Sequence, residues 1–245
     1  MRVALTFKVD ELLILPVSYQ HHLQSWLYGM IQDESFADFL HNEGFGESRK
    51  FKLFTFSLIK GAYTFHKKDK TLHFKDVFHF DVSSVIEPFI EALLKYLTKR
   101  KTFTLNHCKI HLEKYRILTH QIKQPQVDIE MLSPIVAYHT IKDELGKSKT
   151  QYYKPSDPEF NALINQNFKR KYKAYTPLDL PEDIFIEPLD VSEKDELIIR
   201  YKNHIIIAYK GKYRLKGHPR YLNFLIHTGL GSKNSMGFGM FKVTT

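Results

Sequence analysis

The chain has 245 residues, 43% of them hydrophobic and 26% charged, with a formal net charge of +9. That length allows two domains of roughly 120 residues each, and the balance is that of a soluble globular protein. A single cysteine, Cys108, excludes an intrachain disulfide and any multi-thiolate zinc site, which fits a cytoplasmic protein.

Arg2 to Val9 alternates apolar and polar residues and predicts a strand rather than a signal sequence. The longest apolar run, Leu12 to Val17, contains Pro16 and is far too short to cross a bilayer, so no membrane partner is expected. Tyr19 to Ile31 predicts a helix, with Leu23, Trp26, Leu27, Met30 and Ile31 along one side. A short helix over Ser35 to Asn42 follows, capped by Ser35 and stopped by Gly44. Strands are expected over Lys50 to Ile59, Tyr63 to His66 and Leu72 to Phe80, with a turn at Gly61. Ser83 to Thr98 carries an amphipathic helical pattern, and Thr102 to Leu118 is rich in strand formers.

This order, strand, helix, strands, helix, strand, is the ferredoxin-like βαββαβ pattern shared by RNA-recognition modules. His120 to Pro125 reads as a linker. The second half repeats the order: strand Val127 to Thr140, helix Asp157 to Tyr172, strands at Ile184 to Ile186, Leu197 to Tyr209 and Tyr213 to Leu215, helix Arg220 to Thr228, strand Met240 to Val243. The expected fold class is therefore α+β, with two tandem ferredoxin-like domains, 1–120 and 126–245.

The charge is unevenly placed. After Glu196 there are nine Lys/Arg, among them Arg214, Lys216, Arg220 and Lys233, and no Asp or Glu. Such a surface attracts polyanions, nucleic acid first among them. A solvated face is the bland alternative. Within the same stretch lies Gly229-Leu230-Gly231-Ser232-Lys233-Asn234-Ser235-Met236-Gly237-Phe238-Gly239, which holds four of the eleven glycines. Gly229, Gly231, Gly237 and Gly239 let backbone N–H groups approach a phosphate, while Lys233, Asn234 and Ser235 supply further donors. Tight packing against a helix explains the glycines equally well. The stretch lacks the GK[ST] order of a P-loop.

The run from His227 to Gly239, together with Leu15-Pro16, Tyr19, Leu23 to Tyr28, Phe39-Leu40-His41 and Lys52 to Ser57, resembles the CRISPR-associated endoribonucleases that process precursor guide RNA. The middle, about Phe80 to Asp195, matches by pattern alone. The resemblance implies two tandem ferredoxin-like domains and metal-independent cleavage of CRISPR repeat RNA, with no cofactor. It also implies a catalytic histidine at His41. Cutting RNA this way requires a base for the 2′-OH, an acid for the leaving 5′-oxygen and charge stabilisation at phosphorus, leaving a 2′,3′-cyclic phosphate and a 5′-OH.

The residues themselves fit those roles. His41 stands off the apolar face formed by Phe36, Phe39 and Leu40, in the last helical turn, where the dipole favours imidazolium. Tyr28 lies off the stripe centred on Leu23 and Leu27, and its hydroxyl can orient the 2′-OH. Lys52 can stabilise the phosphorane, with Lys50 or Arg49 as alternatives. CRISPR repeat RNA is the expected partner; effector-complex subunits and a second copy of the chain stay open. A non-catalytic RNA-binding subunit and a structural protein-interaction subunit are the rival readings.

Overall fold

Strand β1 (Arg2–Val9) buries Val3, Leu5, Phe7 and Val9 on one face, as its alternation requires. The structure, a computed structural model, describes residues 1–47, 49–142, 146, 148–202 and 204–244. β1 lies between the 14-residue β5 (Thr71–Ser84) and β7 (Cys108–Leu118), antiparallel to both. β2 (Leu13–Pro16) continues along the β1 edge of β5. β3 (Phe54–Phe56) and β4 (Lys60–His66) pair with the opposite edge, and β6 (Phe103–Leu105) closes the sheet beside β7. The strand order thus runs fourth, first, third, second, the ferredoxin-like arrangement. Helices α1 (Gln20–Gly29) and α3 (Glu87–Thr98) place Leu23, Leu27, Phe89, Ile90, Leu93 and Leu97 against the β1 face.

The second half repeats the design. β8 (Gln126–Met131) is flanked by β14 (Lys212–Lys216) and β15 (Phe241–Val243), with β11 (Phe185–Asp190) outside β14. α4 (Pro158–Tyr175) and α5 (Pro219–Thr228) contribute Phe160, Ile164, Phe168, Tyr221, Leu222 and Leu225 to a second core. Two tandem ferredoxin-like units make up an α+β fold. Each buries one face of its sheet, so the unit repeats although the sequence does not.

Several expectations need correction. The short helix α2 (Glu34–Asp38) is capped by Asp33, whose carboxylate accepts from the Phe36 N–H at 3.0 Å, and not by Ser35. It continues as one π-helical turn, Phe39–Glu43, which Gly44 ends at φ +69°. Gly61 lies within β4, and Ser83 and Ser84 finish β5 rather than opening α3. The expected strand Val127 to Thr140 is two, β8 and β9 (Tyr138–Lys142), divided around Ser133-Pro134; β9 pairs with β10 (Ser148–Tyr152). Leu197 to Tyr209 is a hairpin of β12 (Glu196–Tyr201) and β13 (His204–Tyr209).

The halves interlock. Arg2, buried beside Asp81 at 3.4 Å, donates to the Phe241 carbonyl at 2.9 Å. The Thr55 hydroxyl donates to the Phe238 carbonyl at 3.0 Å, and Leu53 packs into the core of the second half. At Gly237, φ +84°, a Cβ would collide with the Phe56 ring, so only glycine lets the C-terminal loop lie this close to β3.

Candidate active site at the seam

The first wall of the site is α1. Leu23 and Leu27 face the core, and one residue further Tyr28 turns off that stripe by about 100°. Its ring meets Phe54 edge-on at 5.6 Å and the His41 ring at 5.7 Å and 73°. Burial, with a lesser contribution from Tyr201, pushes the Tyr28 hydroxyl well above its usual range. At neutral pH it is therefore a neutral donor and not a base.

The second wall is the π turn. Leu40 is fully buried, and the Gly44 N–H bonds the Phe39 carbonyl at 2.7 Å. The wide turn leaves His41 exposed beside Tyr28. His41 Nδ1 lies 2.8 Å from Asn42 Oδ1, and Asn42 Nδ2 donates to Asp38 Oδ1. Because a carboxylate only accepts, Asn42 must present its amide nitrogen to Asp38 and its oxygen to His41. His41 then carries its proton on Nδ1, and Nε2 of the neutral ring is free to take one. The sequence holds a signal for this chain, polar residues at spacings of three and four, but it also reads as ordinary helix surface.

Lys52 follows at the mouth. Its ammonium donates to the His41 carbonyl at 2.8 Å. Burial first, then Lys50, lowers its pKa, while Glu43 opposes them. Arg49 points elsewhere, toward Ser232 Oγ at 3.5 Å and the Phe51 ring at 5.5 Å.

The third wall is the glycine-rich loop. Lys171 of α4 organises it: fully buried, its ammonium donates to the Gly229 carbonyl at 2.5 Å and to Asn234 Oδ1 at 2.9 Å. Burial, with Arg49 adding, lowers the Lys171 pKa to about 7. Asn234 in turn donates to the carbonyls of Leu230 and Phe238 at 2.9 and 3.1 Å. Gly229, Gly231, Gly237 and Gly239 are themselves buried by this packing. Ser235 and Met236 face the cleft, and Gln24 of α1 donates to the Ser235 carbonyl at 2.8 Å.

Together these walls enclose a cleft of about 490 Å³ lined by Tyr28, His41, Lys52, Ser235 and Met236, with His21 and His22 at its side. Tyr201 and Lys202 of the β12–β13 hairpin complete it, Tyr201 through a short hydrogen bond to Gln24 Oε1. Sequence reasoning missed Tyr201, since nothing local links it to α1, and counted Lys202 only among the nine basic residues after Glu196. Arg214, Lys216 and Arg220 are not brought to the cleft. They lie with carboxylate partners, Asp128 at 2.8 Å, Glu187 at 3.0 Å and Asp179 at 3.2 Å.

Known proteins resemble this chain along its length. The family model described as CRISPR associated protein Cas6, C-terminal, matches residues 113–243, and that of CRISPR-associated protein Cas6, N-terminal, matches residues 14–116. CRISPR-associated endoribonuclease Cas6 1 of Methanocaldococcus jannaschii is 28% identical over 243 residues, which cover 98% of this chain and 91% of the relative. CRISPR-associated endoribonuclease Cas6 of Pyrococcus furiosus is 28% identical over 239 residues, covering 96% of this chain and 85% of the relative. A solved structure described as CRISPR associated protein Cas6 superposes with a TM-score of 0.80 at 26% identity, over 100% of this chain and 99% of that one. With one family model spanning more than half of the chain and a second meeting it near residue 115, the chain belongs to the CRISPR-associated Cas6 family.

Proposed function

We propose that the protein is an endoribonuclease that cuts CRISPR repeat RNA in the cleft between α1, the π turn and the glycine-rich loop. The convergence of Tyr28, His41 and Lys52 on one cleft, from three separate elements, carries this reading. The relatives named as CRISPR-associated endoribonucleases support it over nearly the full chain. In this reading residues 1–120 supply the reacting groups, and 126–245 supply the loop and hairpin that seat the RNA.

His41 Nε2 takes the proton of the ribose 2′-OH as that oxygen attacks the adjacent phosphorus. The bond from phosphorus to the 5′-oxygen breaks, the leaving oxygen takes a proton from water, and the products are a 2′,3′-cyclic phosphate and a 5′-OH. The Tyr28 hydroxyl, held neutral, donates to the 2′-oxygen or to a phosphoryl oxygen. Lys52 offsets the charge on the phosphorane. The cleft walls hold the 2′-oxygen in line with the leaving oxygen. Side chains supply the base and the charge stabilisation, and water the proton for the leaving oxygen, so cleavage is expected to persist in excess chelator.

The test is cleavage of the repeat RNA of the protein's own genome in chelator, beside His41→Ala. A single cut leaving a cyclic phosphate, slowed about 10²- to 10⁴-fold in the variant with binding retained, supports enzyme and residue together. Tight binding without any cut would leave a non-catalytic RNA-binding subunit.

A further inference from the structure

On the other side of the glycine-rich loop lies a second cavity, of about 320 Å³. It is lined by Arg49 from the first half, Tyr138 and His139 of β9, Gln166 and Arg170 of α4, and Ser232 of the loop. Among the described residues no Asp or Glu lines it. Arg49 and Arg170 also border an adjoining hollow of about 660 Å³ that includes Lys173, so the two guanidinium groups stand where the spaces meet. The Lys233 ammonium sits 4.8 Å from the Tyr138 ring centre. Burial, and Arg49 after it, lowers the Lys233 pKa.

The lining combines three chemistries. Two planar guanidinium groups suit a phosphate. An aromatic ring beside them suits a base face. A neutral amide, Gln166, and an imidazole suit the hydrogen-bonding edge of a base. His139 engages the Tyr153 hydroxyl through Nδ1 at 2.9 Å, which leaves Nε2 for a ligand. An acidic peptide would use the cations and leave the ring and the amide idle.

We propose that this cavity holds one nucleotide of the bound RNA, its base beside Tyr138 and its phosphate at Arg49 and Arg170. It thereby helps to decide which repeat is accepted. The inference rests on the endoribonuclease reading for the identity of the RNA. The spacing suits a neighbour of the cut site. Ser232 lines this cavity and Ser235 lines the His41 cleft, and three Cα steps span at most about 11 Å.

The experiment uses the full chain and the repeat RNA of its own genome, with one abasic nucleotide introduced at each position in turn. Affinity is measured for the wild type and for Tyr138→Leu/Gln166→Ala, which removes the ring and the amide assigned to the base. One position near the cut should weaken wild-type binding roughly tenfold when its base is removed. In the double variant that penalty should shrink to within about twofold. If every abasic penalty is the same in both proteins, the cavity holds no base. Coupling seen with RNA that is bound but never cut keeps the pocket and removes the nuclease. RNA cut at one site without coupling does the reverse, and a chain that binds no RNA overturns both.

Discussion

The Lys52 ammonium donates to the backbone carbonyl of His41, so one 2.8 Å hydrogen bond sets both the cation and the histidine of the cleft. The carbonyl belongs to the end of a helical segment, where such groups lack intrahelical partners. Gly44 keeps this pairing intact. It sits at φ +69°, and a Cβ there would lie 2.6 Å from the Phe51 carbonyl oxygen and 3.0 Å from Lys52 Cδ. Gly44→Ala is therefore expected to displace Lys52, lower stability by about 1–2 kcal/mol and slow cleavage about tenfold or more. Single-turnover rates and thermal melts check this; an unchanged rate would show that the position of Lys52 is not required.

Tyr28→Phe removes one neutral hydrogen-bond donor and nothing else. A loss of about tenfold in the cleavage rate is expected, with RNA affinity preserved. Because burial keeps the phenol from ionising near neutrality, the pH–rate profile should keep its shape. A lost alkaline limb in the variant would instead assign Tyr28 a proton-transfer role.

Lys171 makes stability depend on pH. Its value is about 7 in the folded protein against 10.5 ordinarily. Below pH 7 both states hold the proton, and the cost of burying the charge is present in full. Between 7 and 10.5 the unfolded chain binds more protons than the folded one, so stability rises with pH. The unfolding free energy of the wild type relative to Lys171→Met should therefore climb from pH 7 to 9, by at most about 1.4 kcal/mol per pH unit. Denaturant titrations at several pH values measure it, and a flat difference would mean that water reaches the ammonium.

Salt dependence separates the two basic surfaces. Lys202 lines the cleft, whereas Arg214 is held by Asp128 through Nε at 2.8 Å and Nη2 at 3.0 Å. Lys202→Ala should lower the slope of log affinity against log salt by about 1, and Arg214→Ala by less. The opposite ranking would place the RNA on the outer face of the second sheet.

Much of this was legible in the sequence, for local reasons. β1 alternates except at Ala4, and α3 and α5 show clear stripes, so their faces could be read directly. His41 is singled out among thirteen histidines by the family resemblance, and its place beside Leu40, like that of Tyr28 beside Leu27, fits the expected role. What failed was non-local. The acid-free C-terminal stretch looked like bare positive charge, yet Asp128, Glu187 and Asp179 reach its cations from outside that window. The β12–β13 turn falls at Lys202, φ +52°, between two apolar runs and without glycine or proline, so the hairpin read as one strand and Tyr201 went unnoticed. The glycines, read evenly as phosphate cradle or as packing device, are buried among Phe56, Val136 and Asn234.

The seat of Gly237 on Phe56 bears on who yields when RNA arrives. Because the loop is wedged against β3 and pinned by Lys171 and Asn234, the cleft is already shaped in the free protein. The distortion that brings a 2′-oxygen behind its phosphorus then falls on the nucleic acid. On the proposed mechanism, repeats whose step at the cut unstacks easily are expected to be the better substrates, even at positions no side chain touches.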